Sequence, residues 1–187
     1  DILFDGQSIK DINKFDLRKQ IALVQQDVFL FSGKVIDNIR LGNVQMSQEE
    51  IQSISTAVNS HNFINEFPLK YEQELIEGGG SISSGQRQLL SFARALAIKP
   101  QILVLDEATS SVDMDTERQI KNGIKEMTRG RTSIIIAHRL STLMHVDKVL
   151  VLKNGRIIEF GKRNELLQRR GIFYKLCQAQ IKSEQFS

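Results

Sequence analysis

At 187 residues, 41% of them hydrophobic and 25% charged, the chain has the make-up of a globular protein with one ordinary core and room for a smaller lobe. A net charge of +3 from dispersed basic residues argues against a nucleic-acid surface, and Arg169-Arg170 reads as a solvated helix end. The lone cysteine, Cys177, excludes disulfide scaffolds and cysteine zinc sites, and no apolar run approaches the roughly 18 residues of a membrane span.

In chain order, residues 1–5 read as a strand closed by a turn at Asp5-Gly6. The start lacks both Met and a leader, so the chain is expected to be a piece of something longer. A connecting segment over 9–19, carrying Ile12, Phe15 and Leu17, leads to a buried strand at 21–24 that runs into Gln25-Gln26-Asp27. Phe29-Leu30-Phe31 ahead of Ser32-Gly33 predicts a loop with an exposed or partner-facing apolar cluster. From 34 to 98 the pattern is helical. Ser47-Gln48-Glu49-Glu50 has the form of a capping box, with Ile51, Ile54 and Val58 on one face behind it. A second helix follows Gly85, carries Leu89, Phe92, Ala93 and Leu96 at helical spacing, and stops before Pro100.

The next stretch, Ile102-Leu103-Val104-Leu105, looks like a parallel-sheet strand buried on both faces, and it ends abruptly in Asp106-Glu107. A helix is predicted over 116–128 on Ile120, Ile124 and Met127, then a third buried strand at 133–137 that ends in His138. Residues 148–152 and 156–160 flank Asn154-Gly155, a favoured hairpin turn, and 163–182 is a helical tail broken near Gly171. Strands alternating with helices predict an α/β fold with a mainly parallel sheet and an inserted helical lobe.

Three predicted strands thus end in polar groups: Gln26, Asp106-Glu107 and His138. In a parallel sheet such ends gather at one edge, where α/β proteins bind ligands. A carboxylate and an amide oxygen suit Mg²⁺, a second carboxylate can polarise water, and an imidazole can bond a terminal phosphate. Chemistry alone stops at a possible nucleotide site. Taken singly, each group has a plainer reading: Gln26 as a loop residue, His138 as a surface histidine, Asp113 and Ser83 as helix caps. His61 and His145 stand in no motif.

Together and in order, these residues resemble the nucleotide-binding domain of exporter-type ATP-binding cassette (ABC) transporters, over nearly the whole chain. Val24-Gln25-Gln26-Asp27 resembles the Q-loop, which implies a Mg²⁺ and water contact for Gln26 and a relay to the membrane domain. Ser81-Ile82-Ser83-Ser84-Gly85-Gln86-Arg87-Gln88 looks like the signature motif, with Ser84 where the family usually has glycine. That resemblance implies that Ser83, Ser84, Gly85 and Gln86 meet the γ-phosphate of ATP held by a second cassette. Residues 102–106 resemble Walker B, with Asp106 on Mg²⁺ and Glu107 as catalytic base. Ser110-Ser111-Val112-Asp113 is similar to the D-loop, Ala137-His138-Arg139 to the switch histidine, and Glu77-Gly78-Gly79 partly to the X-loop that couples to membrane helices. The Phe29–Phe31 region would meet the coupling helices.

The resemblance implies a partial P-loop (RecA-like) core over 1–33 and 99–187, with a helical subdomain over 34–98. It implies ATP and Mg²⁺ as ligands, a second cassette and an upstream membrane domain as partners, and no nucleic acid. The place it implies is the inner face of the cell membrane, with this piece itself soluble. No Gly-x-x-x-x-Gly-Lys-Ser/Thr string occurs in these residues. The chain alone is therefore expected to be inactive and to expose apolar surface. The alternatives are a non-catalytic half of a heterodimeric transporter and, with less support, a soluble DNA-repair-type cassette; the latter's long coiled coil has no counterpart between Gln26 and Ser83.

Overall fold

The first residues close on themselves because Asp5 and Gly6 both accept positive φ, as a two-residue hairpin turn requires. In this computed structural model, which describes residues 1–41, 43, 45–106, 113–137, 142–143 and 146–185, that turn joins β1 (Leu3–Phe4) to β2 (Gln7–Ser8). The segment expected to be a plain connection contains helix α1 (Lys14–Gln20), started by Asn13, whose side chain accepts from the Phe15 amide at 2.8 Å. Strand β3 (Ile21–Val24) follows without a break. β4 (Gly33–Lys34) leads into α2 (Val35–Arg40), α3 (Gln48–Ala57) and α4 (His61–Glu66), and pairs antiparallel with β5 (Glu74–Leu75). The expected capping box is present: Ser47 Oγ accepts from Glu50 N, and the Glu50 carboxylate accepts from Ser47 N.

Helix α5 (Ser84–Ala97) is the axle of this part of the chain. It packs on β3, α2, α3 and α6 (Met114–Thr128), and buries Leu89, Leu90, Phe92, Ala93 and Leu96. Its sequence supplies long apolar side chains three and four apart, so most of its circumference has a partner. β6 (Ile102–Asp106) and β7 (Thr132–Ile136) complete a sheet of order β3-β6-β7, parallel throughout.

The sheet departs from expectation in one respect. Its strands are not buried on both faces. Ala22, Val24, Leu103 and Leu105 enter the core, while Leu23 is 57% exposed, Ile134 56% and Ile136 48%. Side chains alternate across a strand, and α5 packs against this sheet from the core side. The continuous apolar runs fit burial on two faces, and in this chain one of those faces is open to solvent.

The chain divides into two compact units, Asp1–Ile136 and Ala137–Ser187. In the second, β8 (Val149–Lys153) and β9 (Arg156–Gly161) form the expected hairpin, with Asn154 and Gly155 both at positive φ. Val149 and Val151 pack with Leu166 of α7 (Arg163–Arg169) and with Phe173 and Cys177 of α8 (Ile172–Gln185). The break near Gly171 has a physical cause. The Glu159 carboxylate accepts from the Ile172 and Phe173 amides at 2.7 and 2.9 Å, capping α8 from a distant strand. A Cβ on Gly171 would land on that carboxylate. Gly171→Ala is therefore expected to cost about 1–2 kcal/mol, the scale of a lost N-cap. Thermal melting of the two proteins checks this, and an unchanged midpoint would show that α8 does not depend on the clasp.

Candidate functional site

The register of the parallel sheet sets the first part of the site. Val24 lies opposite Leu105, and Asp106 opposite Ile136, so all three strands finish level. Asp106 is the last residue of β6 and half-buried; Gln26 stands two residues beyond β3, exposed. The structure thus brings these two to neighbouring strand ends at the carboxyl edge, where α/β sheets place ligands. Glu107, Ser110 and His138 lie outside the described residues. They follow directly on β6, on the segment before α6, and closely on β7 in sequence.

Among the described residues, Asp106 and Gln26 offer this edge a carboxylate and an amide oxygen, both hard. Among the described residues no three His, Cys, Asp or Glu side chains gather into a metal cage. Mg²⁺ does not ask for one, since it keeps several waters and takes one or two protein ligands together with phosphate oxygens. Asp106 and Gln26 fit that requirement.

The signature residues form the second part. Ser83 is the N-cap of α5, its hydroxyl accepting from Gln86 N at 3.1 Å while Gln86 Oε1 accepts from Ser83 N at 3.0 Å. The plain reading of Ser83 as a helix cap is therefore correct in this structure. It leaves the Ser84 and Gly85 amides without a partner among the described residues, at the positive end of a 14-residue helix. Ser84 is the first helical residue, so serine replaces glycine here at no backbone cost. Among the described residues no hydrogen bond joins this helix end to Gln26 or Asp106.

Asp113 caps α6, accepting from the Thr116 amide at 2.9 Å, and the interaction with Thr116 holds its carboxyl below the ordinary range. Glu77 opens a 3-10 turn, Glu77–Gly79, in which Gly78 and Gly79 both have positive φ. The Gly78 amide donates to Leu30 O at 2.9 Å, and a Cβ on Gly79 would press to within 2.9 Å of the Leu30 and 3.0 Å of the Arg87 side chain, inside ordinary contact distance. Only glycine fits there.

Leu30 is fully buried, while Phe29 and Phe31 on either side are exposed and stack edge to face with centroids 5.2 Å apart. The expected apolar cluster is thus a pair of displayed rings anchored by one core residue. Sequence reasoning missed what holds it. Arg94 donates to Phe29 O at 2.8 Å, Asn38 O at 2.9 Å and Asn38 Oδ1 at 2.9 Å. Asn38, 3% exposed, also accepts from Phe31 N and donates to Phe31 O and Lys34 O. Burial pulls the Arg94 guanidinium below its ordinary pKa. The available signal was an arginine inside the apolar run Phe92-Ala93-Arg94-Ala95-Leu96, since a charge on a core helix must find partners.

Comparison with known proteins decides the family. Residues 1–110 match the ABC transporter domain family. The chain belongs to the ABC transporter family. An ABC transporter ATP-binding protein of Bacillus subtilis is 46% identical over 96% of the chain. A fatty acid ABC transporter ATP-binding/permease protein of Mycobacterium bovis is 43% identical over 95%, and an ATP-dependent lipid A-core flippase of Syntrophus aciditrophicus 43% over 98%. The chain spans 30%, 28% and 30% of the length of these ABC proteins, respectively. No helix among its own described residues is long and apolar enough to cross a membrane.

Proposed function

We propose that this chain is part of the ATPase engine of an ABC exporter, working at the inner face of a membrane on behalf of a membrane domain in the same protein. The observation that carries the reading is the level ending of β3 and β6, so that Asp106 and the segment leading to Gln26 leave the sheet at one edge, in a chain of this family. In this reading Asp106 and Gln26 would hold Mg²⁺, and the Gln26 amide oxygen would also orient the attacking water. The ion, when bound, neutralises charge on the phosphates. Glu107 takes the proton from that water, and His138 bonds the terminal phosphate. The products are ADP and phosphate.

The open amides of Ser84 and Gly85, with Ser83 and Gln86 bracing them, would meet ATP held by a second cassette. Closure of two cassettes on ATP, and reopening after hydrolysis, would drive transport. Ser110 and Asp113 would lie along the cassette interface. Glu77 and the Phe29–Phe31 rings would face the membrane domain. Residues 34–98 would then be the helical subdomain, between core segments 1–33 and 99–187.

Because the sequence holds no Gly-x-x-x-x-Gly-Lys loop, its own residues lack the principal phosphate cradle. This chain alone is expected to show no ATP hydrolysis and no micromolar ATP binding by isothermal titration, whereas the full-length protein hydrolyses MgATP. Micromolar binding by the chain alone would place a phosphate cradle within these residues. A full-length protein without ATPase activity would overturn the engine reading.

A further inference from the structure

We propose that Arg94, seated by Asn38, is a positioning residue that ties the segment carrying Gln26 to helix α5, so that the signature end of the helix and Gln26 shift as one body. The proposal deepens the reading above and rests on it for its consequence in catalysis.

The argument starts from what fixes Gln26. Its side chain is exposed and has no hydrogen bond among the described residues, so its position is set by the two ends of its segment. One end is Val24, locked into the sheet opposite Leu105. The other end is the stretch Phe29–Phe31, which belongs to no strand or helix and owes its place to side chains from elsewhere.

Asn38 of α2 holds Phe31, and helix α5 ties into this stretch at two heights. Near its start, Arg87 Nη1 donates to Ile82 O at 2.9 Å and Gly79 O at 3.3 Å, and this same turn holds Leu30 O through the Gly78 amide. Seven residues on, roughly 10 Å along the axis, Arg94 reaches Phe29 O directly and closes the ring through Asn38. One attachment would fix a distance; two fix an orientation as well.

The chemistry at Arg94 is specific. Three donor contacts go to oxygens that carry no charge, and the guanidinium lies 5.5 Å from the Phe31 ring centroid. A planar fork can serve Phe29 and Asn38 together, which a lysine ammonium on a flexible stem cannot do in the same geometry. Asn38 uses all four of its hydrogen-bonding positions, two accepting and two donating. Without the fork, Phe29 O loses its donor and Asn38 loses the contact that seats it, so among the described residues the segment keeps only its hydrogen bonds to Asn38 and Gly78, and loosens.

The test uses the full-length protein and its Arg94→Lys variant, read by amide hydrogen exchange and by ATP hydrolysis. The Phe31 amide, which donates to Asn38 Oδ1, and the Gly78 amide, which donates to Leu30 O, report on the tie. Exchange at Phe31 is expected to rise about 10-fold, the scale of one or two lost hydrogen bonds, while Leu89 and Phe92 in α5 stay within about twofold of the parent. Turnover is expected to fall about 10-fold with KM for ATP within about twofold, since a loosened Gln26 affects the reacting geometry more than binding. Unchanged exchange at Phe31, acceleration spread equally along α5, or a freed Phe31 with unchanged kcat would each overturn the proposal. If the parent protein hydrolyses no ATP, the engine reading fails on its own, and the exchange pattern still decides whether Arg94 makes the tie.

Discussion

Full-length protein carrying Glu107→Gln is expected to keep binding MgATP and to lose turnover by about 10²- to 10⁴-fold, the usual worth of a general base. The amide has the shape of the carboxylate but cannot accept the proton of the attacking water. Asp106 and Glu107 are adjacent, and the proposed reading gives them different roles. Asp106 is the last residue of the β6 ladder, opposite Ile136, half-buried and fixed. Glu107 is the next residue in the sequence. Asp106→Asn is accordingly expected to raise the Mg²⁺ concentration needed for half-maximal rate, a different signature from loss of the base. ATPase assays with titrated Mg²⁺ separate the two, and size-exclusion chromatography with ATP should show Glu107→Gln accumulating a closed two-cassette form. Near-parental turnover in Glu107→Gln would move the base elsewhere.

The largest effect on stability is expected at Phe92. Its side chain is fully buried on α5, and its ring is the nearest neighbour a Cβ on Gly123 would meet, at 3.2 Å. Gly123 lets α6 approach closely, with the Val58 carbonyl at 3.3 Å from the same point. Phe92→Ala therefore removes the ring around which α3, α5 and α6 assemble. The expected loss is about 3–5 kcal/mol, a large share of the roughly 5–15 kcal/mol that holds a domain folded. Urea unfolding of the parent and variant chains measures it. A loss under about 1 kcal/mol would mean that the core collapses into the gap.

Much of this architecture is legible in the sequence because its causes are local. The Ser47 box, the Asn154-Gly155 turn and the apolar stripes of α5 and α6 depend on residues within a turn or two of each other. The arrival of Gln26 and Asp106 at one edge is legible for another reason: parallel strands of equal phase finish level. What the sequence does not disclose depends on distant partners. The two-residue ladder of β4 with β5 joins Gly33 to Leu75, and no periodicity reveals so short a pairing. The Glu159 clasp on α8 looks, in sequence, like an ordinary strand residue. The fork of Arg94 reaches back 65 residues to Phe29 O and 56 to Asn38. Glu107, Ser110 and His138 are named by resemblance, and their geometry lies outside the described residues.

The open face of the sheet has a consequence in the life of the polypeptide. Leu23, Ile134 and Ile136 stand exposed on strands already paired into one parallel sheet. Such a surface recruits whatever apolar material comes first. During synthesis such a face is open to the apolar surfaces of other nascent chains, the more so the higher their concentration. Cells that make this sheet are expected to lean on chaperones until that face is closed.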